Sequence, residues 1–372
     1  MIFLEFGGPL AEILARSPLA KSRPLLWTII ANPRAGGFII HSRWAKHREQ
    51  LDLCAALVAD KAMNSAAEPS VTALKEGDKN GLILTSGKGH AHTITQSLIE
   101  EAAASLTSAE QKPLYLIITA GGDGTSLEVL SALFHAPEAV RFSFVVLRLP
   151  MGTGNDGACA RELDDALRLV IEPSRIIQRR AVRLSTATEG KGPFLAFNIL
   201  SVGLDAFVTH MTNKMKGNLP GDFYKLWVDI AALLYDRLYK VGPLDVRALD
   251  ESGNEVKTLN ERILLMAVGE SGHRTYGSNK RILPDSRNVC AVKQMSLFRK
   301  IALKGLFTTG EHIIKPESIL FNASRVEFSG LYPILAQMDG ETVLLQKDDF
   351  PAVIELTEPL IPVLQLDDNE TN

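Results

Sequence analysis

The sequence predicts an α/β domain built on a parallel sheet, followed by an antiparallel β-sandwich domain. Two observations carry this prediction. Through the first half, short apolar runs end in glycine-containing loops, four times over, and most lead straight into helical spacing. After Ile176 that rhythm stops, and short strand-like runs succeed one another with one helical stretch among them. Alternating strands and helices argue for a parallel sheet with ligands at the carboxyl ends of its strands, whereas successive short strands argue for a sandwich or barrel.

Taken in order, residues 1–23 form an amphipathic N-terminal extension closed by Ser17-Pro18 and Arg23-Pro24. Leu25 to Ala31 is β-branched and apolar and reads as a buried strand entering Asn32-Pro33-Arg34-Ala35-Gly36-Gly37. Helical spacing runs from Arg43 to Lys61. A weaker strand, Gly81 to Thr85, enters a second glycine loop before a helix from His90 to Ala104. Leu114 to Thr119 leads into Gly121-Gly122-Asp123-Gly124-Thr125 and a helix to Phe134. Phe142 to Leu149 leads into Pro150-Met151-Gly152-Thr153-Gly154-Asn155-Asp156. The later strand-like runs are Ala181–Thr186, Phe194–Ile199, Leu244–Leu249, Arg262–Val268, Asn288–Lys293, Arg325–Phe328 and Thr342–Gln346, with a helix at about Asp222–Tyr239. The predicted boundaries are 24–178 for the α/β domain and 179–346 for the β domain. Residues 347–372 are expected to return to the first domain.

Composition narrows the function classes. The 372 residues are 46% hydrophobic, enough for two packed domains, and 40 Lys and Arg against 43 Asp and Glu leave a net charge of -3. No global charge points to nucleic acid. Cys54, Cys159 and Cys290 are odd in number and far apart, which argues against a disulfide framework or a zinc site and for a reduced, cytoplasmic chain. Glu5 interrupts the apolar start that a signal peptide would need. Every apolar run is shorter than the roughly 20 residues that span a bilayer, so membrane contact is expected to be peripheral.

The glycine loops suggest phosphate chemistry. Gly121, Gly122 and Gly124 let backbone amides approach an anion at a helix N-terminus, where free N–H groups and the helix dipole favour negative charge. Asp123 beside phosphates is tolerable if it holds Mg²⁺ or contacts an acceptor hydroxyl. Gly152 and Gly154 leave room for similar approach, Thr153 can donate to a phosphate oxygen, and Asn155 and Asp156 can cap a helix. Asn32, Arg34, Gly36, Thr85 and Lys88 add hydrogen bonds and positive charge at the two remaining loops. Neither a G-x-x-x-x-G-K-[ST] loop nor a G-x-G-x-x-G follows any strand, which disfavours a P-loop enzyme and a standard dinucleotide fold.

Together, Asn32-Pro33 with Gly36-Gly37, Thr85 with Gly89-His90-Ala91, Gly121 to Thr125 with Glu128-Val129, Pro150 to Asp156, and Asp339-Gly340-Glu341 resemble the diacylglycerol kinase catalytic-domain family. That family also includes sphingosine and ceramide kinases and bacterial relatives, and the resemblance runs from about Leu25 to Val363. It implies a nucleotide-binding α/β domain, an all-β lipid-binding domain, and ATP- and Mg²⁺-dependent transfer of a γ-phosphoryl group to a lipid hydroxyl, with diacylglycerol the leading acceptor. By the same resemblance, Asn32, Thr85, Gly121 to Thr125 and Thr153 would hold the nucleotide, Asp123 would lie beside phosphates and metal, and Glu341 would be the general base. Asp339-Gly340 between apolar runs is a tight-turn signal able to project Glu341 towards an acceptor; an ordinary surface hairpin is the other reading of the same pair. Two departures stand out. Leu127 precedes Glu128 where the family has Asn. Ile282 to Cys290 lacks the Asp-Gly pair that helps bind a structural Mg²⁺ in bacterial relatives, leaving Asp285 as the one candidate remnant.

For a lipid acceptor, the segment from Glu261 to Arg325 holds 11 Lys or Arg against 5 Asp or Glu, an excess that favours an anionic membrane surface. Phe223, Tyr224 and Trp227 are candidate interfacial aromatics, and equally candidate core residues. Sphingoid base or ceramide phosphorylation, NAD phosphorylation and a non-catalytic lipid or nucleotide sensor are the alternatives. A homodimer stays open.

Overall fold

The chain enters its first sheet at Leu25, where the predicted strand forms as β1 (Leu25–Ala31). The computed structural model describes residues 2–21, 23–63, 71–73, 81–105, 112–215, 235–276 and 280–367. They divide into two units, Met1–Arg179 with Pro359–Asn372, and Arg180–Glu358.

In the first unit β1 is followed by β2 (Val71–Ala73), β3 (Leu82–Leu84), β4 (Leu114–Gly121), β5 (Phe144–Pro150) and β6 (Ser174–Arg179). β2 and β3 pair in succession with one edge of β1, and β4 pairs parallel with the other. β5 continues the parallel sheet beyond β4, and the final strand, Ile361–Leu366, lies between β5 and β6. All eight residues of β4 and all seven of β5 are buried. A strand covered on both faces needs a continuous apolar run rather than alternation, which is why these two were plain in the sequence.

The helices are α1 (Ile2–Ala15), α2 (Gly36–Ile39), α3 (His41–Met63), α4 (His90–Ser105), α5 (Asp123–Phe134), α6 (Glu138–Arg141) and α7 (Leu163–Ile171). The expected N-terminal extension is therefore an integral part of the unit. Phe6, Leu10, Ile13 and Leu14 recur at helical spacing on one face of α1 and are fully buried. Phe6 meets Phe38 edge-on with ring centroids 5.1 Å apart, and Phe38 packs on Trp44. Each such side chain contributes about 1.5–3 kcal/mol by leaving water.

The second unit contains β7 (Val182–Ser185), β8 (Phe194–Ala196), β9 (Ile199–Gly203), α8 (Leu204–Met215), β10 (Pro243–Leu249), β11 (Glu255–Gly269), β12 (Arg274–Tyr276), β13 (Lys280–Leu283), β14 (Val289–Lys293), β15 (Ser318–Phe321), β16 (Arg325–Gly330), β17 (Ile334–Met338), β18 (Glu341–Leu345) and β19 (Ala352–Leu356). The final strand of the first unit is β20. Eleven of the strands form one antiparallel sheet, and the long β11 serves both halves of it. Its first part pairs with β10 and its second part with β9 and β14. Leu184, Leu200, Val246, Met266, Phe328, Ala336 and Ile354, drawn from both halves, share one core.

Two boundaries differ from expectation. β19 remains in the second unit, paired with β16 and β7, and the return to the first sheet begins at Ile361 rather than at residue 347. Of the helix expected at about Asp222–Tyr239, only the turn Tyr235–Leu238 falls on described residues; Phe223, Tyr224 and Trp227 lie outside them. Among the described residues no helix is long and apolar enough to cross a membrane.

Candidate functional site

Four loops leave the carboxyl ends of β1, β3, β4 and β5, and in the first unit they interlock through glycine backbone. Gly37 N–H donates to the Met151 carbonyl at 2.8 Å, and a Cβ on Gly37 would stand 2.9 Å from that oxygen. Arg43 Nη1 donates to the Gly152 carbonyl at 3.1 Å. A Cβ on Gly152 would reach 2.6 Å from Gly122 Cα, and one on Gly36 would reach 3.1 Å from Thr153 Oγ1. The first, third and fourth glycine loops are thus neighbours whose spacing any side chain would widen, and their small residues leave backbone as the surface.

Each loop is pinned by its own residues. Asn32 N–H donates to the Ala120 carbonyl, while its Oδ1 accepts from Arg34 N–H at 2.9 Å. Asn155, at φ 60°, accepts from Gly152 N–H at 2.6 Å and donates to the Pro150 carbonyl at 2.9 Å. Both ends of its amide are thereby used inside the loop, so Asn155 shapes the loop rather than offering a side chain to a ligand. Thr85 N–H donates to the Ala31 carbonyl, and Arg34 and Lys88 are exposed. Glu128 on α5 accepts from Gly89 N–H at 2.7 Å and Ala91 N–H at 3.1 Å. This carboxylate occupies the N-terminus of α4, where a negative charge is favoured, and ties the second loop to the third.

Asp123 opens α5, with Gly122 as the preceding extended residue. Its Oδ1 accepts from Gly157 N–H at 2.9 Å. The point that a Gly154 Cβ would occupy lies 3.1 Å from Asp123 Oδ2 and 3.2 Å from Asp156 Oδ2, so two carboxylates flank Gly154. A Cβ on Gly157 would stand 3.2 Å from Arg148 Nη1 and 3.5 Å from Asp123 Oδ1. Arg148 is buried at the end of β5, and its Nε has no hydrogen-bond partner among the described residues. A buried guanidinium with its Nε–H unpartnered among the described residues, close to Asp123, together with two carboxylates flanking Gly154, fits a polyanion accompanied by a hard divalent cation. The sequence reading did not name Arg148 as a site residue or Asp156 as a metal ligand. The signal for Arg148 was present, because it is the one charge within Phe144-Val-Val-Leu-Arg-Leu-Pro150.

In the second unit the predicted turn forms between β17 and β18. Asp339 and Gly340 both have positive φ, 45° and 100°, as a two-residue hairpin of this hand requires, and Met338 pairs with Glu341. The Asp339 carboxylate accepts from three successive backbone N–H groups, those of Phe197, Asn198 and Ile199. Asn213 Nδ2 donates to the Gly340 carbonyl at 2.7 Å, and His210 hydrogen-bonds Thr342 on the residue after Glu341. The half-buried Glu341 therefore begins β18 on a turn anchored from three directions.

One further network in this unit was not foreseen. Gly340 N–H donates to Gln337 Oε1 at 3.0 Å, and Gln337 Nε2 donates to Ser201 Oγ at 3.1 Å and Asp205 Oδ2 at 3.3 Å. Ser201 Oγ also donates to Asp205. Burial pushes the Asp205 carboxyl above the ordinary range, although Ser201, Tyr276, Lys280 and Gln337 oppose the shift. Gly203, at φ 89° and with a would-be Cβ 2.4 Å from the Leu264 carbonyl, allows α8 to start directly after β9 and so places Asp205. Asp205 lines a cavity of about 110 Å³ together with Leu204, Leu264, Val292, Leu303 and Phe307.

Asp285 does not offer a metal site. Its carboxylate accepts from the Arg287 backbone N–H and from the Arg287 guanidinium, which holds its pKa below the usual carboxylate range. No group of three or more His, Cys, Asp or Glu able to hold a metal ion occurs among the described residues.

Residues 26–187 match the diacylglycerol kinase catalytic domain. A "Probable lipid kinase YegS-like" protein of Enterobacter sp. (strain 638) is 24% identical over 244 residues, covering 65% of this chain and 76% of the relative. A "Diacylglycerol kinase" of Staphylococcus carnosus (strain TM300) is 24% identical over 239 residues, covering 63% and 72%. A crystal structure of a "putative diacylglycerol kinase" from Bacillus anthracis str. Sterne superposes with a TM-score of 0.55 at 18% identity, covering 92% of this chain and 96% of that one. The structural likeness concerns the fold alone.

Proposed function

We propose that this chain, whose residues 26–187 match the diacylglycerol kinase catalytic domain, is a lipid kinase that transfers the γ-phosphoryl group of ATP to a lipid hydroxyl, with diacylglycerol as the acceptor and phosphatidic acid as the product. The observation that carries the reading is the glycine cradle of the first unit, where the buried Gly36 and Gly152 let the loops close up and Gly122 and Gly154 present backbone beside Asp123 and Asp156, with Arg148 buried nearby. Backbone N–H groups and a guanidinium suit phosphate oxygens. Asp123 and Asp156 would hold Mg²⁺, which neutralises charge between the β- and γ-phosphates when bound. Thr153, exposed beside Gly36, adds a hydroxyl donor, and Asn32, Thr85 and Gly121 to Thr125 set the loop shapes.

Glu341 is the general base. As the acceptor oxygen forms its bond to the γ-phosphorus, the bond from phosphorus to the β,γ-bridging oxygen breaks. The hydroxyl proton passes to the Glu341 carboxylate, and ADP leaves with the bridging electron pair. A positioned carboxylate is worth about 10²–10⁴-fold in such a step. Two features support the assignment: Asp339 fixes the turn through three backbone N–H groups, and the Gln337 network links that turn to the cavity lined by Asp205. The cavity is smaller than the few hundred Å³ of a whole small-ligand site, so it would take part of a lipid rather than all of it.

The test is a transfer assay with γ-labelled ATP, Mg²⁺ and mixed micelles carrying diacylglycerol, sphingosine, ceramide or phosphatidylglycerol, beside soluble NAD. Labelled phosphatidic acid is the expected product. Label in another lipid would keep the kinase and replace the acceptor, label in NAD would move the acceptor out of the lipids, and no label with ATP still bound would favour a sensor.

A further inference from the structure

Between β14 and β15 the chain makes a short helix, Leu297–Lys304, that carries apolar residues on both of its faces. Ser296 precedes it and Gly305 ends it, as helix boundaries prefer. Lys300 and Leu303 are buried, and Lys300 Nζ pairs with Asp236 at 2.9 Å. Lys300, Leu303, Lys304 and, just beyond the helix, Phe307 line the cavity that Asp205 closes. The opposite face holds Leu297, Phe298 and Ile301, which are 40%, 84% and 52% exposed. At 100° per residue these three form a stripe roughly 100° wide, the width that a core-facing helix normally buries. Here it faces away from the core, and Ile314 on the same insertion is 72% exposed.

The surroundings are basic. From Lys280 to Lys315 the sequence holds eight Lys or Arg and two Asp or Glu. Arg299 pairs with Glu317, Lys300 with Asp236, Arg287 with Asp285 and Lys293 with Glu261. Lys280 and Lys304 turn towards the Asp205 cavity, and the same segment carries the exposed Arg281 and the partly exposed Lys315 against Glu311. An exposed apolar stripe on a segment rich in cations is the composition of a helix that lies in the plane of an anionic bilayer, its apolar face at the acyl boundary.

We infer that the Leu297–Lys304 helix is the membrane-docking element of this protein, seating Phe298 and Ile301 in an anionic bilayer surface so that the cavity along its inner face opens at the level of the lipids. The inference deepens the lipid-kinase reading and rests on it only for what enters the cavity; docking itself needs neither ATP nor turnover. One side of the helix then meets the bilayer while the other lines the space that receives a bilayer lipid, and a lipid moving between them need not cross bulk water.

The experiment is flotation of the full chain with vesicles of equal parts phosphatidylglycerol and phosphatidylcholine, and with phosphatidylcholine alone. Wild type should float with the anionic vesicles. The double variant Phe298→Ser/Ile301→Ser should lose at least about tenfold in partitioning, whereas Phe298→Trp and Leu53→Ser, at an exposed position of the first unit, should float like wild type. Equal flotation of the double variant and wild type would overturn the inference. Should the double variant fail to fold, Phe298→Trp beside wild type decides: brominated acyl chains should quench the variant's emission beyond the quenching of wild type, which carries only Trp27, Trp44 and Trp227, and equal quenching of the two would overturn the inference. A concentration-dependent dimer abolished in the double variant, with no flotation of wild type, would show that a second copy covers the stripe. Short-chain diacylglycerol presented as a dissolved monomer separates the two readings. Its phosphorylation without flotation breaks the docking inference, and flotation without any phosphorylation breaks the kinase reading alone.

Discussion

The two units build their sites from different material. In the first, the cradle consists of contiguous loops whose working surface is backbone, and interlocking glycines set the spacing, as where a Gly152 Cβ would fall 2.6 Å from Gly122 Cα. In the second, Glu341 depends on side chains gathered from strands far apart in sequence. Asp339 in the turn after β17 grips Phe197 to Ile199, and Gln337 joins Gly340 to Ser201 and Asp205. A backbone site tolerates changes of side chain but not of volume. A networked site tolerates changes of volume but not the loss of a polar partner.

That contrast can be broken by mutation, beginning with the proton acceptor. Glu341→Gln keeps the shape of the turn and removes the base, so transfer should fall by about 10²–10⁴-fold with the melting temperature unchanged. Asp123→Asn should cost less, about 10- to 100-fold, seen as a raised Mg²⁺ requirement in the same assay. Retention of full activity at ordinary Mg²⁺ would remove Asp123 from the metal.

The volume rule is tested by Gly152→Ala, which forces the loops apart and should destabilise the first unit by about 1–3 kcal/mol in urea denaturation. Its counterpart, Asp339→Ala, leaves three backbone N–H groups without their acceptor and should cost about 1–3 kcal/mol. It should also slow transfer more than ATP binding, since the harm falls on the turn that carries Glu341. Should Asp339→Ala weaken ATP binding as much as transfer, the division between backbone cradle and networked turn would fail.

The smallest effect concerns pH. Burial raises the Asp205 pKa in the folded chain, so folding favours its neutral form. That contribution is fully present below the unfolded carboxylate value of about 3.9 and is lost as pH rises through the raised one. Asp205→Asn does not titrate. Relative to wild type it should therefore gain stability as pH rises from about 4, and melting curves of the two proteins across that range should diverge in its favour. Parallel curves would place Asp205 in an ordinary, ionised state.

What was legible in the sequence follows the same contrast. β1, β4 and β5 were readable because strands buried on both faces are continuous apolar runs, and the loops after them because glycine is the signal for backbone approach. The Asp339-Gly340 turn was readable for a similar local reason. Arg148 and Asp156 were missed although one stood alone in an apolar run and the other beside a recognised loop, since their meaning lies in Gly154 and Gly157 bringing them near Asp123. Asp205, Ser201 and Gln337 had no local signal: they meet only because β9 pairs with β17. The helix α1 was read as an extension because Pro9 and the breaks after Ser17 obscure it, yet its buried face completes the first core.

In the proposed kinase the first unit holds ATP and Glu341 of the second accepts the proton. The most direct measurement is the ATP dissociation constant of Glu341→Gln beside its rate of label transfer to diacylglycerol, with Asp123→Asn as the reference. Glu341→Gln should bind ATP like wild type and transfer almost no label. Transfer within a few-fold of wild type would contradict that division, and so would a loss of ATP affinity equal to the loss of transfer.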